Sequence, residues 1–290
     1  MKKDMVKIFI SRIPGLSTKE KNLVLKQFPL LTDLVKLTNG DLEYILNRKF
    51  GNKIFNSKLI LDEAEKIFNS LSGSQIEIIS YSNKKYPPQL REIFDPPFLL
   101  YKKGGELKHE MPVIAVVGTR KASQIALRSA YNLGVEIADY KIYLVSGLAL
   151  GIDQAAHKGV VGRNGNAIAV LGNGIDYFYP KENARLGQEI IDLGGVILSE
   201  YPPGTPPFKY NFPERNRIIS GLCNSLVVIE APHKSGALIS AEFALDQGRD
   251  VYVHRCSINS RKGAGCRRLL FEGADIIESL GDFISFREAV

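Results

Sequence analysis

Apolar residues between Val6 and Leu71 recur at helical spacing in short runs, over residues 19–28, 41–50 and 57–71, with Pro and Gly breaks between them. In the last run Leu59, Ala64, Ile67, Phe68 and Leu71 can share one face of a helix. The pattern predicts a small helical domain over residues 1–73. The composition then shifts: Ser72-Gly73-Ser74 precedes a β-branched run at 76–79, and prolines follow in Tyr86-Pro87-Pro88 and Asp95-Pro96-Pro97. Proline fixes φ and drives the residue before it toward extended backbone. Residues 74–112 are therefore expected to form an irregular connector on the surface that leads into a sheet.

From residue 113 the period changes. Short β-branched runs at 113–117, 142–145, 167–171, 196–198, 226–229, 251–253 and 275–277 alternate with helical runs, the sequence form of consecutive βαβ units. Ala126, Ala130, Leu133 and Ile137 recur at i, i+4, i+7 and i+11, which makes one buried stripe between the first two strands. The expected fold over residues 113–290 is α/β, a Rossmann-like parallel sheet with right-handed crossovers. A length of 290 residues suits this large domain together with the small helical one.

Hydrophobic residues make up 44% of the chain and charged residues 24%, which excludes a largely disordered chain. The formal net charge of +7 favours an anionic partner, though charge alone does not name one. Cys223, Cys256 and Cys266 are odd in number and lack CxxC spacing. That points to neither a disulfide framework nor a zinc site and suits a reducing, cytoplasmic setting. The N-terminal apolar run is too short for a signal peptide, and no stretch approaches the ~20 apolar residues that cross a bilayer, so no membrane role is expected.

In an open parallel sheet, ligands sit beyond the carboxyl ends of the strands, where the following helices present free N–H groups and a positive dipole end. Four expected strand ends are glycine-rich: Gly118-Thr119-Arg120, Ser146-Gly147 through Gly151-Ile152-Asp153, Gly172-Asn173-Gly174, and Lys234-Ser235-Gly236-Ala237. Each glycine alone could serve only a tight turn. Four such loops along one sheet edge suit a phosphate-rich ligand. The first turn lacks G-x-G-x-x-G, and neither a P-loop nor an HExxH motif occurs, so no dinucleotide, nucleoside triphosphate, metal or other cofactor is expected.

Downstream, Tyr179-Pro180-Lys181 and the segment 206–217 interleave rings with cations: Phe208, Tyr210 and Phe212 alternate with Lys209, Arg215 and Arg217, beside Asn216. Cations hold phosphates, and aromatic faces stack unpaired bases for ~1–3 kcal/mol each. With its prolines keeping it irregular and exposed, this segment is expected to complete a face for the backbone of single-stranded DNA.

Gly118-Thr119-Arg120, Ser146-Gly147-Leu148-Ala149, Gly151-Ile152-Asp153 with Ala156-His157, Tyr179-Pro180, Ser199-Glu200-Tyr201-Pro202, Phe212-Pro213 with Arg215-Asn216-Arg217-Ile218-Ile219, and Ser235-Gly236-Ala237-Leu238 closely resemble, in this order, the bacterial DNA-processing protein A (DprA/Smf) family. The resemblance runs from about Tyr86 to Ala274. It implies an extended Rossmann domain behind a sterile-alpha-motif-like helical domain, and a non-enzymatic protein that binds single-stranded DNA without sequence preference. It also implies a homodimer that helps load RecA in natural transformation.

By the same resemblance, Arg120, Lys181 and Lys209 belong to a basic pocket for the strand, and Ile13-Pro14-Gly15-Leu16 resembles the turn of a helix-hairpin-helix, with only Gly15 of that turn's usual two glycines. Many relatives carry Pro-Gly where this chain has Arg255-Cys256, and Asn where it has Arg267; Arg267 is expected to add positive charge to the site. Many members of the family carry a C-terminal winged helix, and with Val290 as the last residue none is expected here. The expected DNA-binding set is Gly118, Thr119, Arg120, Ser146, Gly147, Lys181, Lys209, Phe212, Arg215, Asn216, Arg217, Ser235, Gly236 and Arg267.

One competing reading is enzymatic. Ser235-Gly236-Ala237 with Ser240, Ala241 and Glu242 distantly resembles the glycine-rich turn and helix glutamate of lysine-decarboxylase-like nucleotide phosphoribohydrolases, where Glu242 would assist N-glycosidic cleavage. Asp153 and His157 are spaced to share a helix face as an acid–base pair, while the family resemblance implies helix-start and packing roles for them.

Overall fold

The computed structural model of the chain describes residues 2–49, 55–108 and 110–282; Phe50, the last residue of the run expected at 41–50, and the expected domain's end beyond Asp282 lie outside the described residues. The chain divides into two compact units, Met1–Tyr86 with Asp95–Tyr101, and Pro87–Phe94 with Lys102–Val290.

The first unit contains α1 (Lys2–Ser11), α2 (Thr18–Gln27), α3 (Leu31–Leu34), α4 (Asn39–Leu46), α5 (Ser57–Leu71) and β1 (Glu77–Ser80). Two of these helices begin with capping boxes. Ser17 with Glu20, and Thr38 with Asp41, exchange a side-chain acceptor for each other's backbone N–H, so orphan donors of the first turn are satisfied from within. The core gathers Ile8, Phe9, Val24, Leu34, Leu42 and Ala64. On α5 the buried stripe runs through Ile60 and Ala64, whereas Leu59 is 61% exposed. Leu59 lies five residues before Ala64, about 140° around the helix, while Ile60 lies four before it, on the same face.

In the second unit α6 (Pro88–Arg91) comes first, and β2 (Leu99–Gly104) carries the chain across from the first unit. Strands and helices then alternate: β3 (Val113–Val117), α7 (Gln124–Asp139), β4 (Tyr143–Ser146), α8 (Ile152–Val161), β5 (Ala167–Leu171), α9 (Ala184–Asp192), β6 (Val196–Ser199) and α10 (Asn211–Leu222). They continue with β7 (Ser225–Val228), α11 (Gly236–Asp246), β8 (Asp250–His254), α12 (Ala264–Phe271) and β9 (Asp275–Ile277). All seven strands expected from residue 113 onward are present, with ends shifted by at most one residue. The α7 stripe Ala126, Ala130, Leu133 and Ile137 is buried.

These strands lie in the order β6-β5-β4-β3-β7-β8-β9, with each neighbouring pair from β5/β6 to β8/β9 parallel. The chain moves outward from β3 through β4, β5 and β6, then returns to the other side of β3 as β7. Loops leaving β3 and β7 therefore diverge, and a crevice forms at this topological switch point.

The proline-rich passage is not laid on the surface. Tyr86, Leu90 and Ile93 are buried, and the Tyr86 hydroxyl donates to the Pro97 carbonyl at 2.8 Å. Leu90 and Ile93 fill the space over Gly221 of α10, where a Cβ would meet their methyl groups at 2.7 and 2.9 Å. Proline removes a backbone donor but leaves an apolar ring, so such a passage is readily buried. Among the described residues, no helix is long and apolar enough to cross a membrane.

Candidate nucleic-acid interface

A cleft of about 850 Å³ lies at the β3–β7 switch point. The turn after β3 supplies Gly118, Thr119, Arg120 and Lys121; the loop after β7 supplies Lys234, Ser235 and Gly236; the loop after β8 supplies Lys262. The opposite wall is α10 and the strap before it, with Lys209, Phe212, Arg215 and Asn216. Six cations, Arg120, Lys121, Lys209, Arg215, Lys234 and Lys262, thus border the cleft against one carboxylate, Asp153. The volume is ordinary for a small-molecule site (~300–1,000 Å³), so size does not choose the ligand. The excess of cations chooses its sign.

Glu230, fully buried just beyond β7, holds the loops that carry three of these cations. Its carbonyl accepts the Thr119 N–H at 2.7 Å, and its carboxylate accepts the Ser123 N–H at 2.8 Å and the Ser123 hydroxyl at 2.9 Å. Arg120 and Lys121 lie between those two anchors. Ser123 also caps α7, accepting the Ala126 N–H at 3.2 Å. From the loop after β8, the Ser260 hydroxyl donates to Glu230 at 2.5 Å and accepts the Lys262 N–H at 3.1 Å. The Lys262 ammonium reaches back to the Lys121 carbonyl at 2.5 Å.

The aromatic wall is built around Phe212. Its ring packs on Gly172, where a Cβ would meet ring carbon at 2.8 Å, and lies 5.8 Å from the Tyr179 ring. The Arg120 guanidinium sits 5.1 Å from the Phe212 centroid, within cation–π range. Outside the cleft lining, Phe208 and Tyr210 stack on each other with centroids 5.4 Å apart and planes inclined by 6°.

Of the fourteen residues expected from sequence, nine line the cleft: Gly118, Thr119, Arg120, Lys209, Phe212, Arg215, Asn216, Ser235 and Gly236. The segment 206–217 is not irregular throughout, because α10 begins at Asn211 with Pro213 as its third residue. The first N–H groups of a helix have no intrahelical partner, so proline costs little there. The helix turns Arg215 and Arg217 inward, to 4% and 6% exposure. Arg215 reaches the cleft floor; Arg217 pairs with Glu200 at 2.8 Å and does not border the cleft.

The other departures have similar causes. Ser146 is buried and donates to the Val116 carbonyl at 2.6 Å. Gly147 donates its N–H to Asp153 at 3.1 Å and lies against the Arg215 guanidinium. The Gly172–Gly174 loop is occupied from within, by the Phe212 ring and by the Asn211 amide, which donates to the Gly172 carbonyl at 2.9 Å. Gly147 and Gly172 are therefore covered from within, and of the loop after β4 it is Ala149 and Asp153 that border the cleft. The Arg267 guanidinium donates to the Ile258 and Ser260 carbonyls at 3.0 and 2.9 Å, bracing the loop that carries Lys262 rather than joining the lining. Arg255 pairs with Glu278 at 2.9 Å. Lys181 is exposed just past Tyr179, off the cleft lining.

Lys121, Lys234, Lys262 and Tyr179 line the cleft without having been in the expected set. Each lay at a legible signal: Lys121 and Lys234 adjoin the glycine-rich turns, Tyr179 stands in the Tyr179-Pro180-Lys181 segment, and Lys262 belongs to the connection after the strand expected at 251–253.

Beneath the cleft lies a buried pair. Burial pushes the Asp153 carboxyl up, opposed by the Arg215 guanidinium and by the Ala149 and Gly147 N–H groups. Burial lowers Arg215 to about 10, opposed by Asp153, so it stays protonated at neutral pH. One Arg215 Nη donates to the Val170 carbonyl, and its Nε has no hydrogen-bond partner among the described residues. His157 is wholly buried, has no partner on either ring nitrogen among the described residues, and is driven down to about 3 by desolvation and then by Arg215. It is a neutral packing residue at pH 7, unsuited to proton exchange with Asp153. Glu242 is exposed on α11, away from the cleft lining, where its charge acts on Arg268. Cys223 and Cys266 are buried and Cys256 half-buried, and burial raises all three thiols.

The family model described as DNA recombination-mediator protein A matches residues 77–288. DNA processing protein DprA of Streptococcus pneumoniae is 44% identical over 200 residues, covering 69% of this chain and 70% of that protein. Protein Smf of Borreliella burgdorferi is 32% identical over 277 residues, covering 95% of this chain and 86% of that one. Against Escherichia coli Smf, 39% identical over 200 residues, the match spans 54% of the relative. Among solved structures, Streptococcus pneumoniae DprA aligns with a TM-score of 0.77 at 35% identity, over 98% of both chains. DNA processing protein A of Helicobacter pylori, solved to describe its single-stranded DNA binding mode, aligns with a TM-score of 0.66 at 28% identity, over 75% of this chain and 98% of that one.

Proposed function

The chain belongs to the DNA recombination-mediator protein A family, and from that premise we propose that it binds single-stranded DNA through the β3–β7 cleft and delivers the strand to RecA. The observation that carries the reading is the lining itself: six cations against one carboxylate, with Arg120 laid over the Phe212 ring. Phosphates meet the cations, and bases splayed from an unpaired strand meet ring faces. Neither kind of contact reads base edges, which is why the binding is indifferent to sequence. Lys181, exposed beyond Tyr179, extends the track at the rim. A homodimer presents two such clefts, and the work is done in the cytoplasm during recombination and natural transformation. The Helicobacter pylori relative's single-stranded DNA binding mode supports the assignment of ligand.

The test is a titration of a labelled oligo-dT strand at several salt concentrations. The log–log slope should be about −0.7 per phosphate contacted, and Arg120→Ala and Lys262→Ala should each weaken binding and flatten it. Parent-like binding by both variants overturns the site. On oligomer coated with single-strand-binding protein, the chain should speed RecA assembly, and no effect there removes the mediator role. The protein is read as non-catalytic; release of free base from nucleoside monophosphates, lost in Glu242→Ala, would overturn that.

A further inference from the structure

We propose that the stacked Phe208–Tyr210 pair is a second base-stacking station, outside the cleft, that takes an unpaired nucleobase of the strand held within it; this rests on the reading of the cleft as a single-stranded DNA site. The two rings are 45% and 67% exposed, and they lie nearly parallel with centroids 5.4 Å apart. Apolar ring surface left in water is unfavourable, and a parallel pair presents flat outer faces of the shape a base covers.

The position of the pair selects the occupant. Lys209, the residue between the two rings, borders the cleft, as does Pro207 just before them, while neither ring does. A strand whose phosphate leaves the cleft on Lys209 brings its next base to these rings. The strap is also held in place. Pro206 and Pro207 fix two φ angles, the Asn211 N–H donates to the Phe208 carbonyl at 3.1 Å, and the Asn211 amide is tied to the Gly172 carbonyl at 2.9 Å. A station already fixed beside the cleft loses little entropy when the base arrives. Two ring faces fall far short of the ~800 Å² per partner of a standard protein interface, but one face suffices for one base.

The chain contains no tryptophan, so Tyr210→Trp installs a single indole at the station. Titrated with oligo-dT strands of increasing length, its emission should stay constant for strands short enough to remain in the cleft and be quenched once the strand reaches the rings. The double variant Phe208→Ala/Tyr210→Ala should bind the longer strands about 5- to 150-fold more weakly, the range of one lost base stack. Its short-strand affinity and its salt slope should be unchanged, since no phosphate contact is lost. Arg120→Ala in the Tyr210→Trp background should abolish the quenching by weakening the cleft.

Constant emission at every length, with Arg120-dependent binding intact, overturns the station and leaves the cleft standing. Failure of the parent to bind any strand overturns both. If the double variant instead converts a dimer to a monomer while binding long strands like the parent, the rings serve a second copy of the chain and the proposal is wrong.

Discussion

The Glu230 carboxylate takes both donors of Ser123, the backbone N–H at 2.8 Å and the hydroxyl at 2.9 Å, and so fastens the end of β7 to the turn after β3 across the switch point. This anion, fully buried beneath a basic cleft, reaches both the Arg120–Lys121 turn and, through Ser260, the Lys262 loop. Its role is to position cations, not to meet the ligand.

Glu230→Ala should therefore leave the half-buried donors of Ser123 and Ser260 without this acceptor, at a total cost on the order of 1–3 kcal/mol, and weaken oligomer binding as the two cationic loops loosen. Glu230→Gln should retain most of both. Its carbonyl can take the Ser123 N–H while its amide donates to the two hydroxyls, which are able to reverse roles. Thermal melting and oligomer titration of the two variants check this; equal losses would show that the charge rather than the connection matters.

Arg120 and Arg217 should separate cleanly. Arg120→Ala removes an exposed cation and should reduce the salt slope by about 0.7 per phosphate lost, with a stability change within about 0.5 kcal/mol. Arg217→Ala strands the Glu200 carboxylate, whose partner side chain is only 8% exposed, and should lower stability toward the ~3–5 kcal/mol of a broken buried pair while leaving the slope unchanged. Melting curves and salt titrations on both variants decide the matter.

His157 should give the protein an acid-sensitive stability. Its pKa is lowered from 6.5 to about 3 by burial. Above 6.5 neither state carries the proton. Between 6.5 and about 3 the unfolded chain binds a proton that the folded chain refuses, so stability falls with falling pH by up to about 1.4 kcal/mol per unit. His157→Leu should flatten the difference between melts at about pH 7.5 and 5.5; His254, also lowered by burial, contributes with the same sign and persists in the variant.

In the helical unit, the Arg48 guanidinium donates to both Glu20 oxygens, at 2.6 and 3.0 Å, and holds that carboxyl at about 2, below its ordinary 4.5. The pair's stabilisation is complete above about 4.5 and lost as pH falls through about 2. Because the pair is partly exposed, Arg48→Ala should cost only about 0.5–1 kcal/mol at pH 7 and reduce that acid dependence in the melting profile, the part carried by the Ser17 N–H and hydroxyl on the same carboxylate remaining.

The sequence by itself determined the strands of the α/β unit. β-branched runs at 113–117 and 167–171 are buried on both faces, so their composition alone marks them. It also determined the chemistry of the site, since Arg120, Lys209 and Phe212 stand beside glycine- and proline-rich breaks where a helix or strand must stop. Strand order could not be read, because each parallel strand carries nearly the same apolar run and nothing local says which neighbour it will choose. That order places the β3 and β7 turns together, brings Lys262 to Lys121, and leaves Gly147 and Gly172 covered from within. Tertiary packing likewise decided the fate of the arginines. Arg215 and Arg217 look alike on paper, but their spacing on α10 sends one to the cleft floor and the other to Glu200, because a helix turns 100° per residue and the nearest counter-charge lies in a different direction for each.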